Sequence, residues 1–465
     1  GTGAATVVNN AAIDFGTSNL GGDLGVTASA GNITQNGGAL TVAGTSSFTT
    51  SADDADITLT NASNALTGAV TFVSDDTNTN NAEDVDLTNS IATVLAANTA
   101  SGTLDVISGG NITQTGALVA GSTSTFTTSA SDATITLGTT TNALGGTVAF
   151  TTAGTAGNVV IDNGTTGLDL AASTINGTLT ATGGASAGIV DSGNVAVAGN
   201  VTLTTDAGNG VINMGTLQQS AGDLILVTNG NGAATVVNNA GIDFGTSNVG
   251  GALSATASAG NITQNGGAIT VAGTSSFILG ANSANVVLDH ASNAFSGAVT
   301  LLAGAGGSQA FGNVTFVDDS AVKIDANADA AGDLYLNAGT DGAVGGNLAV
   351  TATTGNITQG VAVAVTGTSA FTTSATDATI TLGTTTNALG GTVAFTTAGT
   401  AGNVVIDNGT TGLDLAASTI NGTLTAGGGA TAAIVDRGNV AVAGNVTLTT
   451  DAGNGVINMG TLLQS

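Results

Sequence analysis

Short runs in which apolar and small polar residues alternate cover the whole chain. In residues 134–137 and 201–204 every second residue is Ile, Leu or Val, which is the two-residue period of a half-buried β-strand. Clusters of Gly, Asn, Asp and Ser interrupt these runs about every six to ten residues, and such residues allow the backbone to turn. No segment carries a sustained 3.6-residue apolar stripe. The pattern therefore predicts an all-β chain without helices.

The same segments recur over long distances. Residues 129–220 reappear as residues 374–465 with six differences, at an offset of 245, and residues 3–48 resemble residues 232–277 at an offset of 229. The two offsets differ because extra residues fall between about Thr300 and Gly355. Residues 70–72 resemble both residues 299–301 and residues 314–316, so most of the insertion is expected between those two segments. Self-similarity of this kind predicts one continuous rod over residues 1–465, built of tandem large units 1–229 and 230–465.

A shorter cassette recurs within these units. Each copy begins with Gly-Asn-Ile-Thr-Gln, continues through a segment that ends in Phe and a β-branched or Leu strand, and closes with Asn-Ala-Leu or Asn-Ala-Phe. The four copies begin at Gly31, Gly110, Gly260 and Gly355.

Apolar positions that we expect to point inward recur at regular intervals along the chain. The pairs are Ile33 with Ile57, Val42 with Leu66, Phe48 with Val70, and Ile175 with Val195. One turn of this length cannot bury its own apolar face, so many turns must stack. Because parallel crossovers are right-handed, we predict a right-handed parallel β-helix, or β-solenoid, with three short strands per turn of about 20–24 residues. Roughly 21 turns would form a rod on the order of 100 Å long. A β-sandwich array is the alternative, but it needs more aromatic residues.

Composition limits the function. The chain has 465 residues with 30 Asp and Glu, a formal charge of −28, and a basic inventory of Lys323, Arg437 and His290. Such a charge repels nucleic acid and anionic membranes. The absence of Cys excludes disulfides and thiolate metal sites. The 42% of hydrophobic residues argues against disorder, and no apolar run reaches the length of about 18 residues that suggests a membrane span.

The cassette resembles a known family. The Gly-Asn-Ile-Thr-Gln segments, the Gly-Thr-Ser-x-Phe segments and the Asn-Ala-Leu-x-Gly-x-Val strands are similar to the repeat regions of giant bacterial surface exoproteins, the filamentous-haemagglutinin-like adhesins of two-partner secretion. The resemblance covers essentially the whole chain, although similar repeats occur in autotransporter passengers. It implies a secreted right-handed β-helix that serves as a fibre or adhesin shaft. The Asn-Pro-Asn-Gly secretion signature of that family cannot occur in this Pro-free chain, and no ligand-binding residue is carried over.

The two ends match interior positions. Residue 1 aligns with residue 230 and residue 465 with residue 220, without a starting Met, a signal peptide or a polar capping repeat. Because solenoids need caps for solubility, we expect either a window cut from a longer array or identical chains that stack end to end.

Acidic clusters are the serious candidates for chemistry. One comprises Asp75 and Asp76 with Glu83, Asp84 and Asp86. In the other, Asp318 and Asp319 precede the candidate calcium ligands, which are Asp325, Asn327, Asp329 and Asp333. Hard oxygen ligands at this spacing suit Ca²⁺. The run from Asp325 resembles the start of an EF-hand loop, but Ala330 and Leu336 replace its glycine and its glutamate. Solvated loop carboxylates that keep the rod soluble are the alternative.

Other chemistry receives less support. A glycan-active enzyme would need cationic residues or paired carboxylates, yet Lys323 and Arg437 lie far apart in sequence. Outward Thr-x-Thr pairs suggest ice binding, but their ladder is interrupted. We expect His290 and residues 304–308 to lie in loops, and no cofactor beyond a structural Ca²⁺.

These patterns predict an acidic extracellular protein of the bacterial cell surface. It would form the non-catalytic shaft of an adhesin or filament and associate with further repeats, a host or neighbouring cell surface, or glycans. A self-assembling filament or sheath subunit is the alternative, and an enzyme or an ice-binding solenoid is more distant.

Overall fold

The computed structural model describes residues 2–74, 83–304, 309–338, 342–430, 433–451 and 453–465. It divides into two compact units, Gly1–Gly232 and Ala233–Ser465. The described residues are all β, without a helix, and their parallel strands stack into about 20 turns of β-solenoid. The predicted fold class is thereby confirmed.

Strands in the described part of the first unit are numbered β1 to β27 in chain order. They are Ala5–Asn9, Ile13–Leu20, Leu24–Ala28, Ile33–Val42, Ser46–Thr50, Ile57–Leu59, Ala65–Leu66, Ala69–Ser74, Val85–Asn89, Thr93–Leu95, Asn98–Ala100, Leu104–Ser108, Ile112–Gln114, Leu118–Ala120, Ser124–Ser131, Ile135–Leu137, Ala143–Leu144, Thr147–Ala153, Val159–Asp162, Leu168–Leu170, Ser173–Ile175, Leu179–Gly183, Ile189–Asp191, Val195–Val197, Val201–Thr205, Ile212–Gln219 and Leu224–Val227.

Strands in the described part of the second unit are numbered β28 to β57. They are Ala234–Asn238, Ile242–Phe244, Ser247–Val249, Leu253–Ala257, Ile262–Gln264, Ile269–Val271, Ser275–Leu279, Val286–Leu288, Ala294–Phe295, Val299–Ala303, Val314–Asp318, Val322–Asp325, Asp333–Asn337, Ala343–Val344, Leu348–Ala352, Ile357–Gln359, Ala364–Val365, Ser369–Thr376, Ile380–Leu382, Ala388–Leu389, Thr392–Ala398, Val404–Asp407, Leu413–Leu415, Ser418–Ile420, Leu424–Gly427, Ala433–Asp436, Val440–Val442, Val446–Thr449, Val456–Asn458 and Leu462–Gln464.

Each strand pairs in parallel with the equivalent strand one turn away. The predicted stacking of Ile33 on Ile57 and of Val42 on Leu66 is confirmed. The other two predicted pairs are each wrong by one inward position, since Phe48 stacks on Phe72 and Ile175 on Val197. Such a shift leaves both side chains on the inner face because the side-chain period of a strand is two. Periodicity alone could therefore not distinguish the two registers.

The core within each unit is thin and filled by alternate residues. In β3 and β5, for example, every second side chain is buried. Aromatic rings stack between successive turns at centroid distances of 5.5 to 6.0 Å, in the pairs Phe48–Phe72, Phe126–Phe150, Phe295–Phe316 and Phe371–Phe395. Pairs of this kind contribute about 0.5–1.5 kcal/mol beyond their burial. A chain with 12 Phe can therefore fill a narrow core.

Glycine is required where the chain turns after a buried Asn. Gly164 and its counterpart Gly409 both have φ of +56°, and a Cβ on either would lie 2.7 Å from a carbonyl oxygen of the preceding turn. Only glycine tolerates both conditions without strain.

The insertion in the second unit lies elsewhere than the sequence predicted. Strand β38 pairs with β35 in the same register as β9 with β6 in the first unit, so the extra residues do not fall before Val314. They follow Asp325, where β40 forms an additional strand that pairs with both β37 and β39. Repeated Val-Thr segments have equal apolar patterns, so only the register could place the insertion.

Candidate functional site

The insertion brings the predicted calcium ligands close to a lysine. Strands β39 and β40 lie side by side, with Lys323 opposite Asp333. The ammonium of Lys323 forms an ion pair with Asp325 Oδ2 and lies 3.7 Å from Asp333 Oδ1. Asn327 Nδ2 donates a hydrogen bond of 2.8 Å to Asp329 Oδ2. The four residues thus share one corner, and Lys323 lies between the carboxylates of Asp325 and Asp333.

Backbone groups hold the remaining oxygens of this corner. Asp333 is buried, and its Oδ2 accepts hydrogen bonds from the N–H groups of Asp329 at 3.3 Å and Ala330 at 2.8 Å. The hydrogen bond from Lys323 lowers the pKa of Asp325 below its ordinary value. A cation here would have to displace the ammonium of Lys323 or share its carboxylates. In the described residues no three His, Cys, Asp or Glu side chains are arranged to hold a metal, and calcium binding stays a prediction.

The acidic run of the first unit is divided among the strand corners. Asp75 and Asp76 lie outside the described residues. Asp84 Oδ1 accepts a backbone N–H from the next turn at 2.8 Å. Asp86 points outward beside Asp105 on the adjacent strand; partial burial and then repulsion from Asp105 and Asp84 raise its pKa. Asp84 and Asp86 lie on one turn and Asp105 lies on the next, so the proximity of Asp86 and Asp105 follows from the strand register.

The repeated cassette motif builds pairs of side-chain amides. The Gln of each Gly-Asn-Ile-Thr-Gln segment and the Asn of the following Asn-Ala-Leu or Asn-Ala-Phe exchange two hydrogen bonds of 2.6 to 3.0 Å across adjacent turns. The four pairs are Gln35–Asn64, Gln114–Asn142, Gln264–Asn293 and Gln359–Asn387. Sequence reasoning identified both motifs but not their pairing, although their nearly constant separation along the chain was a usable signal.

Each pair also closes a corner of the backbone. Asn142 is buried; its Oδ1 accepts from the N–H of Leu118 at 2.8 Å, and its Nδ2 donates to the carbonyls of Leu137 and Asp162 at 3.2 and 2.8 Å. Buried backbone groups must find partners, and no apolar residue can supply them. The recurrence of the motif therefore has a structural explanation and does not require a ligand.

His290 has a structural role in its turn. Its Nδ1 accepts the backbone N–H of Ser292 at 3.1 Å, as Asn61 Oδ1 accepts from Ser63 at 2.9 Å in the first unit. The histidine thus replaces a turn-forming asparagine. Of the predicted loop at residues 304–308, residues 305–308 lie outside the described part of the chain.

An apolar groove of about 520 Å³ lies in the second unit along β41, β44 and β47. Small side chains line it, including Ala343, Val344, Ala364 and Val365, and none of its lining residues is charged. Nothing in its lining resembles a catalytic arrangement of side chains.

No helix among the described residues is long and apolar enough to cross a membrane. Searches among curated proteins and among solved structures found no match to this chain.

A family described as repeats of unknown function, DUF5649, matches most of the chain in five successive copies. The copies cover residues 2–73, 82–151, 156–231, 230–302 and 311–396. Their starting points are nearly evenly spaced; three copies match the first large unit and two match the second. The repeat architecture and the solenoid fold agree with each other, and the chain belongs to the DUF5649 family of repeats.

Proposed function

We propose that the chain is a non-catalytic structural segment, the shaft of a bacterial surface adhesin or filament that lies outside the cell. The observation that supports this best is the continuity of the parallel ladders within each unit. Successive strands are joined by backbone hydrogen bonds and share one core, as in the series β1, β3, β5 and β8. Such an array separates its two ends by a distance set by the number of turns.

The exposed side chains favour the same role. Outward positions of the strands carry mainly small polar residues, as in β25, where Thr202 and Thr204 alternate with buried residues. With a net charge of −28, copies of the chain repel one another. A hydrated surface of this kind suits a spacer that stays extended among many copies of itself. Adhesion to a host or neighbouring cell, or to glycans, would then belong to other parts of the assembly.

Localisation tests this proposal directly. Antibodies raised against the purified chain should label intact cells of the bacterium that produces it, and protease added outside should remove the label. Label that appears only after lysis would contradict the proposal. A panel of polysaccharides tests the non-catalytic part, since turnover of any of them would reveal an enzyme.

A second function, assembly of copies end to end, is favoured by apolar exposure on the outermost turns. Val8, Val456 and Leu463 are 70%, 59% and 57% exposed, whereas the interior counterpart of Val456, Val211, is 38% exposed and that of Val8, Val237, is half-buried. Another copy stacked on such a turn would cover these side chains. Sedimentation over a range of concentrations tests assembly of this chain: growing oligomers support it, and a constant monomer contradicts it.

We further propose that Ca²⁺ binds as a structural ion at Asp325, Asn327, Asp329 and Asp333. A thermal midpoint that rises with added Ca²⁺ would support the site, provided that an Asp329→Ala variant loses the rise. An unchanged midpoint across millimolar Ca²⁺ would refute it.

A further inference from the structure

An identical nine-residue sequence occurs once in each unit, in two different conformations. Gly-Asn-Ile-Thr-Gln-Asn-Gly-Gly-Ala occupies residues 31–39 and residues 260–268. Both copies contain an Asn-Gly pair, Asn36-Gly37 and Asn265-Gly266. In an Asn-Gly pair the glycine nitrogen can attack the preceding side-chain amide, because no Cβ on the glycine crowds the approach. The shared sequence makes the intrinsic reactivity of the two pairs equal, so any difference between them comes from the fold.

In the first unit the pair is held in place. Asn36 lies within the continuous strand β4, with Gly37 in register with Gly16 of β2. The carboxylate of Asp14 accepts hydrogen bonds from the backbone N–H of Asn36 at 2.9 Å and from its Nδ2 at 3.1 Å. Both bonds are charge-assisted and restrain the side chain of Asn36.

In the second unit the side chain of the pair is released. Strand β32 ends at Gln264 and β33 starts at Ile269, so Asn265 and Gly266 lie between strands. The backbone N–H of Asn265 donates to the carbonyl of Phe244 at 3.1 Å, and both residues are exposed, as Asn36 and Gly37 also are. The counterpart of Asp14, Asp243, accepts a hydrogen bond from Thr263 Oγ1 at 2.9 Å, as Asp14 does from Thr34 Oγ1 at 3.2 Å, but among the described residues it accepts none from Asn265. Within the described part of the chain the side chain of Asn265 makes no hydrogen bond.

The released pair also opens into a polar groove. Asn265 and Gly266 line a groove of about 490 Å³ together with Asp289 and His290. The carboxylate of Asp289 and the ring of His290, whose Nδ1 accepts a backbone N–H, line this groove, and the open groove admits water.

We propose that Asn265-Gly266 is a site of spontaneous covalent modification and that Asn36-Gly37 is protected from it. The Gly266 nitrogen attacks Cγ of Asn265; the new N–Cγ bond closes a succinimide, the Cγ–Nδ2 bond breaks, and Nδ2 leaves as ammonia with the amide proton. Water then opens the ring at either carbonyl, giving aspartate or isoaspartate. The product adds one negative charge directly after Gln264, whose amide pairs with Asn293.

Peptide mapping by mass spectrometry tests this proposal on the intact chain. The purified protein is incubated at mildly alkaline pH, and modification of the two peptides, which differ in their flanking residues, is followed over time. We expect Asn265 to react at least about tenfold faster than Asn36, equivalent to about 1.4 kcal/mol. In urea, where the fold is lost, the two rates should be equal.

An Asp14→Ala variant supplies the matched control, since Asp14 is exposed and its loss frees Asn36 and Thr34 without touching the second copy of the sequence. Modification of Asn36 should accelerate, and that of Asn265 should stay unchanged. Folded-state rates within twofold of each other, faster reaction at Asn36, or a difference that persists in urea would each overturn the proposal.

Discussion

Replacing Asp318 by Asn should stabilise the second unit. Asp318 is 2% exposed, and its Oδ1 accepts the backbone N–H of Phe295 at 3.0 Å while its Oδ2 accepts from Ser320 Oγ at 2.7 Å. The first unit has Asn89 at this position. Asn89 accepts the equivalent N–H from Leu66 and also donates from Nδ2. A carboxylate in the same place has no proton to donate at neutral pH.

The magnitude follows from the contacts of Asn89. Its Nδ2 donates to the carbonyls of Leu66 at 3.1 Å and of Ala92 at 3.2 Å. Two such bonds contribute about 1 kcal/mol each, and the variant also removes a buried charge, but it gives up the charge-assisted bond from Ser320. We therefore expect Asp318→Asn to increase local stability by about 1–2 kcal/mol at neutral pH. The reverse change, Asn89→Asp, should cost the first unit a similar amount.

The stability gained by Asp318→Asn should depend on pH. Burial raises the pKa of Asp318 above its ordinary value of 3.8, so the native state prefers the protonated carboxyl. Stability from this group is present at acidic pH and is lost as pH rises through its folded pKa. The difference between Asp318→Asn and the parent chain should therefore be largest at neutral pH and shrink on acidification.

Hydrogen–deuterium exchange over residues 286–325 is the suitable assay, because long repeat arrays unfold without strict two-state behaviour. Slower exchange in Asp318→Asn than in the parent, with residues 57–95 unchanged, is the expected result. Equal or faster exchange at neutral pH, or a difference that grows at acidic pH, would refute the reasoning.

Four further variants test other contacts of the structure. Asn142→Ala leaves three backbone groups without their side-chain partner and should destabilise its turns by about 3–5 kcal/mol. Gln114→Ala should cost only about 1 kcal/mol. Denaturant unfolding in which Gln114→Ala is the more damaging change would contradict the role given to the amide pair. Arg437→Ser should leave the thermal midpoint unchanged, because its ion pair is exposed and the first unit has Ser192 there. Asp377 accepts two backbone N–H groups of the next turn, which lower its pKa. The stability contributed by the Asp377 carboxylate is present above pH 3.8 and is lost as pH falls through the folded pKa. Asp377→Asn should therefore speed hydrogen exchange of residues 398–404 at neutral pH, and its exchange rates should approach those of the parent chain at acidic pH.

The candidate site was only partly predictable. The sequence identified Asp325, Asn327, Asp329 and Asp333 as a cluster of oxygen ligands, and the structure places them in one corner. The sequence did not identify Lys323 as the ion-pair partner of these carboxylates. The ion pair with Asp333 depends on an inserted strand whose register no local pattern specifies.

The sequence by itself determined the local and periodic features of this protein. Alternation of apolar and polar residues sets which side chains face inward, and the recurrence of inward apolar positions sets the length of a turn. Both are properties that can be read along the chain without knowing its contacts. The fold class, the absence of helices among the described residues and the thin core all follow from them.

Only the tertiary structure determined which strands and side chains of adjacent turns pair with each other. It pairs each cassette Gln with the Asn of the adjacent turn, and it places the insertion after Asp325 although similar Val-Thr segments allowed another position. It also gives one nine-residue sequence two conformations, held by Asp14 in the first unit and released at Asn265 in the second. These outcomes depend on contacts between adjacent turns. The energies of those contacts are summed over the whole stack, so they cannot be read from any single stretch of sequence.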